Sequence, residues 1–439
     1  MRFRKFGKAL LLSALSVGAI FSVTSCVQSY TVGFLYVTGT QTSGSTGQGI
    51  VSGFKIDHNT GKLTAIHGLP VASGGANPIR ASLIVGSRFL YVLNQGVDAS
   101  GGNNCTSSTS PCTGSNITEF AVGGNGILSQ QAIFYTQGNN PFRMAADTSG
   151  NYLFVLDHDS PSSTSCTLAL GVTDCGDITV FHIDSSTGRL SPVLNAQVTS
   201  ASGTPLPYFP VPADPIDMVL SSGYMLILCG TPAAGDVNFP YSYNASNGQL
   251  TFSQNGTQVL NITNGTAIQV AKGYVYILDN TPITVSGTTS PSQIHPYSIG
   301  TGGSLQAQTG GAVADDPTQS LPLFLIAESK GKWVYVANYG DNSSTTNTQS
   351  GIAGYVIDTS TNQLDTMSGS PFGTGAGPRC LVEDPSDQFL YTANFNSSTV
   401  TGLSLDQNSG VLRPLPGSAN KSYPLNGPAT FCVVDGRTS

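Results

Sequence analysis

Charge is scarce in this 439-residue chain: Asp, Glu, Lys and Arg together make up 9% of it, and there are one Trp, five Met and five His. So little charge excludes surface helices laced with ion pairs, and the absence of any basic run after residue 8 disfavours nucleic acid and anionic headgroups as partners. No apolar stretch is long enough to span a bilayer. None of the eight cysteines stands in a C-x-x-C pair, which removes the usual zinc and dithiol signatures, and no metal or cofactor is expected. What the chain has instead is glycine, 52 residues of it, with abundant Ser, Thr and Asn, a composition suited to short strands joined by many turns.

The N-terminus differs from the rest. Arg2, Arg4, Lys5 and Lys8 precede a short apolar segment that ends at Val23-Thr24-Ser25-Cys26. A basic start followed by a short apolar core is the pattern of an export signal. The small residues before Cys26 resemble a bacterial lipobox, which implies cleavage after residue 25 and a lipid on Cys26. Residues 1–25 are therefore read as a signal peptide, 26–33 as a tether and 34–439 as one folded unit. Val27 after the cysteine favours an outer-membrane destination in a cell with two membranes. Membrane attachment is expected through the lipid alone. The signal takes four of the 17 basic residues, leaving 13 against 24 acidic ones and a net charge of −11.

An aromatic strand core recurs seven times: FLYV at 34 and 89, YLFV at 152, YMLI at 224, YVYI at 274, WVYV at 333 and FLYT at 389. Each is the composition of a buried strand. Each is followed by a second apolar alternation and a turn with Gly or Asn before its last apolar residue, as in FKIDHNTGKL and FHIDSSTGRL, where a tight hairpin needs positive φ. A proline-led strand precedes most cores, as in NPIRASLIV and GPRCLVED. The unit is thus four strands, A to D, and a lone four-stranded sheet cannot cover both its faces. Radial stacking solves that, and the expectation is an all-β, seven-bladed propeller of antiparallel blades. The first core lacks an A strand and the C-terminus supplies one without a core (427–435), so the C-terminal strand is expected to complete the first blade.

Several B-to-C loops are long (94–116, 157–177, 279–292, 338–351), which concentrates variation on one face. In an oxidising compartment Cys105 is expected to pair with Cys112 and Cys166 with Cys175, each within one such loop. Cys380 and Cys432 lie near the starts of A strands in the blades that meet at the seam and are expected to lock it. Cys229 is then left over, buried and inert.

The segment GPRCLVEDPSDQFLYTANFNSSTV (377–400) resembles the recurring segment of the propeller lactonase family, which includes 6-phosphogluconolactonase-like and carboxymuconate-cyclising proteins, and YVTG (36–39) and YVAN (335–338) are similar to YVTN surface-propeller repeats. The resemblance implies a lactonase site of Arg, His and Glu. Gly377, Pro378 and Arg379 match it, whereas the His position holds Cys380, the Glu position after Asn394 holds Phe395, and a second His position near Leu323 or Phe324 holds none. Lactone opening needs an acid or base with a suitable pKa, which phenylalanine cannot supply. The remaining catalytic candidates are Cys380, as a nucleophile, and His158, which ends a B strand on the long-loop face. Aligning the A strands on their prolines puts Arg80, Arg143, Asp217, Phe324, Cys380 and Thr430 around the axis, with blade 5 contributing Ile268 or Gln269, and Arg379 nearby. Arg80, Arg143 and Arg379 could hold a carboxylate or phosphate, or be satisfied by Asp217 and backbone carbonyls. The leading expectation is a non-catalytic envelope propeller that acts as a ligand-binding or scaffold module, with a small anionic sugar or a protein as its partner at the long-loop face. A lactonase of altered chemistry and a self-associating surface protein are the alternatives.

Overall fold

A computed structural model describes residues 30–435 apart from 42–47, 85–87, 99–111, 231–234, 342–348, 359–360, 362 and 416–421. The proposed lipidation site Cys26 and the cysteine Cys105 lie outside the described residues.

Seven antiparallel sheets follow one another along the chain, each ordered A-B-C-D. Blade 2 is typical, with A at Pro78–Leu83, B at Phe89–Asn94, C at Asn116–Val122 and D at Leu128–Phe134. Each A strand packs against those of its two neighbours, so the seven form a closed ring about an axis. Blade 1 is composite: Ala429–Val434 hydrogen-bonds to the B strand Thr31–Thr40, which is the expected seam. In five blades a further short strand, such as Val71–Ala76 in blade 1, also pairs with the C strand, because the outer strand breaks and then resumes.

The aromatic cores do more than fill space. The tyrosine at the third core position reaches into the next blade: the hydroxyls of Tyr36, Tyr91, Tyr335 and Tyr391 donate to the carbonyls of Gly126, Gly188, Gly410 and Gly61, at 2.5–2.8 Å. The first core residue packs over the same glycine. At the seam, Gly61 has φ +65° and a Cβ there would lie 2.4 Å from the Phe389 ring, so only glycine fits both the backbone and the ring. These clasps join blade 1 to 2, 2 to 3, 6 to 7 and 7 to 1. Tyr391→Phe keeps the ring but leaves the Gly61 carbonyl without this donor, so a loss of about 1–2 kcal/mol is expected in urea unfolding; an unchanged midpoint would show that the clasp contributes nothing.

Two of the long B-to-C loops contain regular structure. Residues 157–177 contain helix α1 (Ser163–Leu170), capped by the Ser162 side chain and ended by Gly171 at φ 73°, and the 279–292 loop contains the hairpin Ile283–Val285 with Thr288–Ser290. Cys166 and Cys175 are bridged, with Cα atoms 5.6 Å apart, which ties α1 to the C strand of blade 3. Cys112 is disulfide-bonded. Cys380 and Cys432 are bridged with Cα atoms 6.0 Å apart, joining the A strands of blades 7 and 1, and Cys229 is a buried free thiol. Among the described residues no helix is long and apolar enough to cross a membrane.

Candidate functional site

Every A strand carries a bulge at the same place. In blades 2, 4, 6 and 7 the register skips the residue after the proline, and in blades 3, 5 and 1 it skips Phe142, Thr266 and Thr430. The skipped residue is turned out of the ladder, and six of the seven line the axial cavity on the long-loop face: Ile79, Phe142, Ile216, Leu323, Arg379 and Thr430. Thr266 and Thr430 make the same contact, each hydroxyl donating to the carbonyl of the next blade's first A-strand proline, Pro322 and Pro78. This register corrects the proline alignment in two blades. The counterparts of Arg80 and Arg143 are Ala267 in blade 5, not Ile268 or Gln269, and Phe431 in blade 1, not Thr430. It also separates the arginines, since Arg379 belongs to the outer ring while Arg80 and Arg143 belong to the ring beneath.

The mouth encloses a cavity of about 620 Å³, and a second of about 570 Å³ opens on the opposite face; Arg80 and Arg143 line both, so they form the waist of the axial channel. Arg143 Nε donates to Asp217 at 2.9 Å, and the other oxygen of Asp217 accepts from the Ile268 backbone. Arg80 bonds the Ile79 carbonyl at 2.8 Å and lies 4.8 Å over the Phe431 ring. Burial, and then the like charge of Arg143, weaken the hold of the Arg80 guanidinium on its proton, while Asp217 opposes this. Arg379 is stacked 3.8 Å from the centre of Phe395 and 5.2 Å from that of Tyr339; its Nε is buried with no hydrogen-bond partner, and burial lowers its pKa as well. Among the described residues, three guanidinium groups thus share the channel with two carboxylates, Asp217, which is bonded to Arg143, and Asp214 at the mouth. Asp217 satisfies Arg143, and the other two arginines are stacked on aromatic rings.

His158 lines the same mouth, on the long-loop face. Its ring stacks on Phe142 at 3.7 Å, and burial, then the charge of Arg143, push its pKa down to about 4. It is neutral at ordinary pH, a weak base and no proton donor. Cys380, the other catalytic candidate, is corrected: it is buried and bridged to Cys432, so it offers no thiolate. The other histidines lie elsewhere, with His58 stacked on Tyr30 and His295 bonded to Asp279. Among the described residues no group of three or more His, Cys, Asp or Glu is arranged to hold a metal ion. The bulge ring and the Tyr339–Phe395 cradle were not anticipated. The recurrent proline was their one sequence signal, but it does not say which residue leaves the ladder.

Comparison with known proteins fits this geometry. The family model described as lactonase, 7-bladed beta-propeller matches residues 47–204 and 297–434, more than half of the chain. The chain is similar in structure to a proposed 6-phosphogluconolactonase from Bacteroides fragilis (TM-score 0.62, 16% identity, covering 92% of this chain and 98% of that one). It is likewise similar to one from Bacteroides uniformis (0.62, 14%, 92% and 99%) and to a protein from Lactobacillus plantarum (0.61, 15%, 92% and 99%). At these identities the likeness shows the fold alone. No curated protein matches the chain. With the family model covering both ends of the propeller, the chain belongs to the seven-bladed lactonase family.

Proposed function

We propose that this protein is a binding member of the lactonase family, tethered in the cell envelope through Cys26, which holds a small anion such as a sugar acid or sugar phosphate in its axial mouth. The observation that carries this reading is the charge imbalance of the channel: among the described residues Arg80, Arg143 and Arg379 stand against Asp217, already bonded to Arg143, and Asp214 at the mouth, with Arg379 Nε unpartnered. Buried charges are normally paired, and an anionic ligand would supply the missing partner through charge-assisted hydrogen bonds. Phe395, under the Arg379 guanidinium, gives that ligand a stacked, dry cation and no carboxylate to move a proton. Binding without lactone opening follows.

One observation favours the alternative of a lactonase: His158 shares the mouth with Arg143 and Arg379. Two measurements separate the readings. Thermal shift of the processed protein against sugar lactones, uronates and sugar phosphates is expected to give stabilisation by an anion, about 2.7 kcal/mol at a hundredfold excess over Kd. Acid release from the same lactones, followed at constant pH, is expected to stay at the uncatalysed rate. Turnover lost in His158→Ala would favour the lactonase. No stabilisation by any anion would remove the axial site as the working site.

A further inference from the structure

Blade 3 contains two carboxyl groups that neither the channel nor the fold as described above accounts for. Asp157, near the end of the B strand Tyr152–Asp159, and Asp177, in the C strand Cys175–Ile183, are register partners, and both are fully buried. None of their four oxygens receives a backbone N–H or a cation; the polar neighbours are the hydroxyls of Thr136 and Thr179. Asp159, the charged neighbour acting on both, is a further carboxylate, and His158 is turned to the axial mouth. From blade 4, Pro215 packs beside Gly176, and Tyr241 approaches Asp177 with its hydroxyl committed to the Pro210 carbonyl.

Two other blades show what this position requires. In blade 2 the counterparts are Asn94 and Asn116, and Asn94 Nδ2 donates to Asn116 Oδ1 at 2.8 Å and to Thr118 at 3.1 Å. In blade 7 they are Asn394 and Thr399, and Asn394 Nδ2 donates to Thr399 at 3.1 Å and to Thr401 at 2.9 Å. A glycine three residues before the A-strand proline packs against each site: Gly75, Gly375 and, in blade 3, Gly138, where a Cβ would stand 2.2 Å from Asp177 Oδ2 and 2.6 Å from Asp157 Cβ. Blade 3 therefore keeps the site but replaces the donating amide by a carboxyl. An aspartate can reproduce the amide's donation only by carrying a proton. The close approach of Gly138 leaves little space for a hydrated ion.

We propose that Asp157 and Asp177 share one proton, and that this proton is a pH-sensitive fastener at the stem of the loop 158–176. The two residues flank that loop, which carries His158, α1 and the Cys166–Cys175 bridge to the rim of the mouth. Burial raises the pKa of both groups well above the carboxylate range; Asp157 raises that of Asp177 further, while the hydrogen bond with Asp177 lowers that of Asp157, the asymmetry of a pair in which one member holds the proton. The folded state then binds more protons than the unfolded state at pH values above the ordinary carboxylate pKa, so this contribution is complete below about pH 4 and is lost as pH rises through the pair's own titration. Loss of the proton leaves two like charges facing each other without water, and the stem opens.

The experiment is a melting curve of the wild type, Asp157→Asn and Asp177→Asn at intervals from pH 5 to 9, with hydrogen exchange across residues 158–176. Each variant is expected to melt on the order of 2–4 °C higher than wild type at pH 8, and to show a shallower fall of Tm with pH. The wild-type loop, corrected for intrinsic rates, is expected to lose protection at high pH, while the variants retain it. A lower Tm for both variants at pH 8, or unchanged slopes, overturns the shared proton. A wild-type Tm that falls on chelation while the variants are indifferent overturns it in favour of a bound cation. Equal loop protection in all three proteins overturns the role at the stem.

Discussion

Replacing Cys380 and Cys432 together by alanine is expected to lower the unfolding free energy by about 4 kcal/mol, the chain-entropy value for a bridge closing some fifty residues. The two cysteines are separated by 52 residues, and the closed segment contains the B, C and D strands of blade 7. The bridge also holds the C-terminal strand, which reaches blade 1 through its ladder to Thr31–Thr40 and, among the described residues, forms a ladder with no other strand. Its loss therefore loosens the closure on which all seven blades depend. Urea unfolding of the double variant, beside wild type with and without reductant, measures the effect. The Cys166–Cys175 bridge is the internal comparison. It spans nine residues and fastens one helix in one loop, so its removal is expected to cost about 3 kcal/mol at most, with much of that loss local. A seam variant no less stable than the loop variant would mean that the ladder and the Tyr391 clasp close the ring unaided.

The fold could be read from the sequence because its signals repeat. Seven aromatic cores followed by seven turns leave little freedom in strand order, and the complementary chain ends specify closure. Disulfides at the seam and in the blade 3 loop were legible from topology, since cysteines placed in adjoining blades or one loop have few other partners. The site was legible only in outline. Arg80, Arg143, Asp217 and Arg379 do line one channel, but a one-residue bulge changes which neighbour each faces, and a proline does not reveal where that bulge falls. The α1 helix escaped notice because the Ser/Thr-rich segment that forms it has almost no apolar face; capping and a disulfide hold it, not amphipathicity. The Asp157–Asp177 pair was invisible for a different reason. Aspartate in a loop-flanking position reads as solvated, and only the ladder shows that both side chains are turned into the blade.

Arg379→Ala is expected to weaken binding of the anion found in the thermal-shift screen by on the order of 10- to 150-fold, the equivalent of about 1.5–3 kcal/mol for a hydrogen bond to a charged group. Arg379 is a cleaner probe than Arg143, whose truncation would strand Asp217 and so confound binding with stability. Arg379 has its Nε free and rests on Phe395 and Tyr339, so its removal leaves no carboxylate behind. Arg379→Lys keeps the charge but loses the planar fork and its stacking, and should fall between wild type and alanine. Phe395→Glu provides the decisive contrast. The new carboxylate would take the place of the ring 3.8 Å from the guanidinium, pair with it internally and compete with any external anion, so the fold should persist while affinity falls as far as in Arg379→Ala. If that variant instead binds as wild type does, Arg379 is not the anchor, and the charge that receives the ligand must be Arg80 at the waist. If it gains lactone turnover, the chain has kept a working lactonase frame from which Phe395 removed one proton-transfer group.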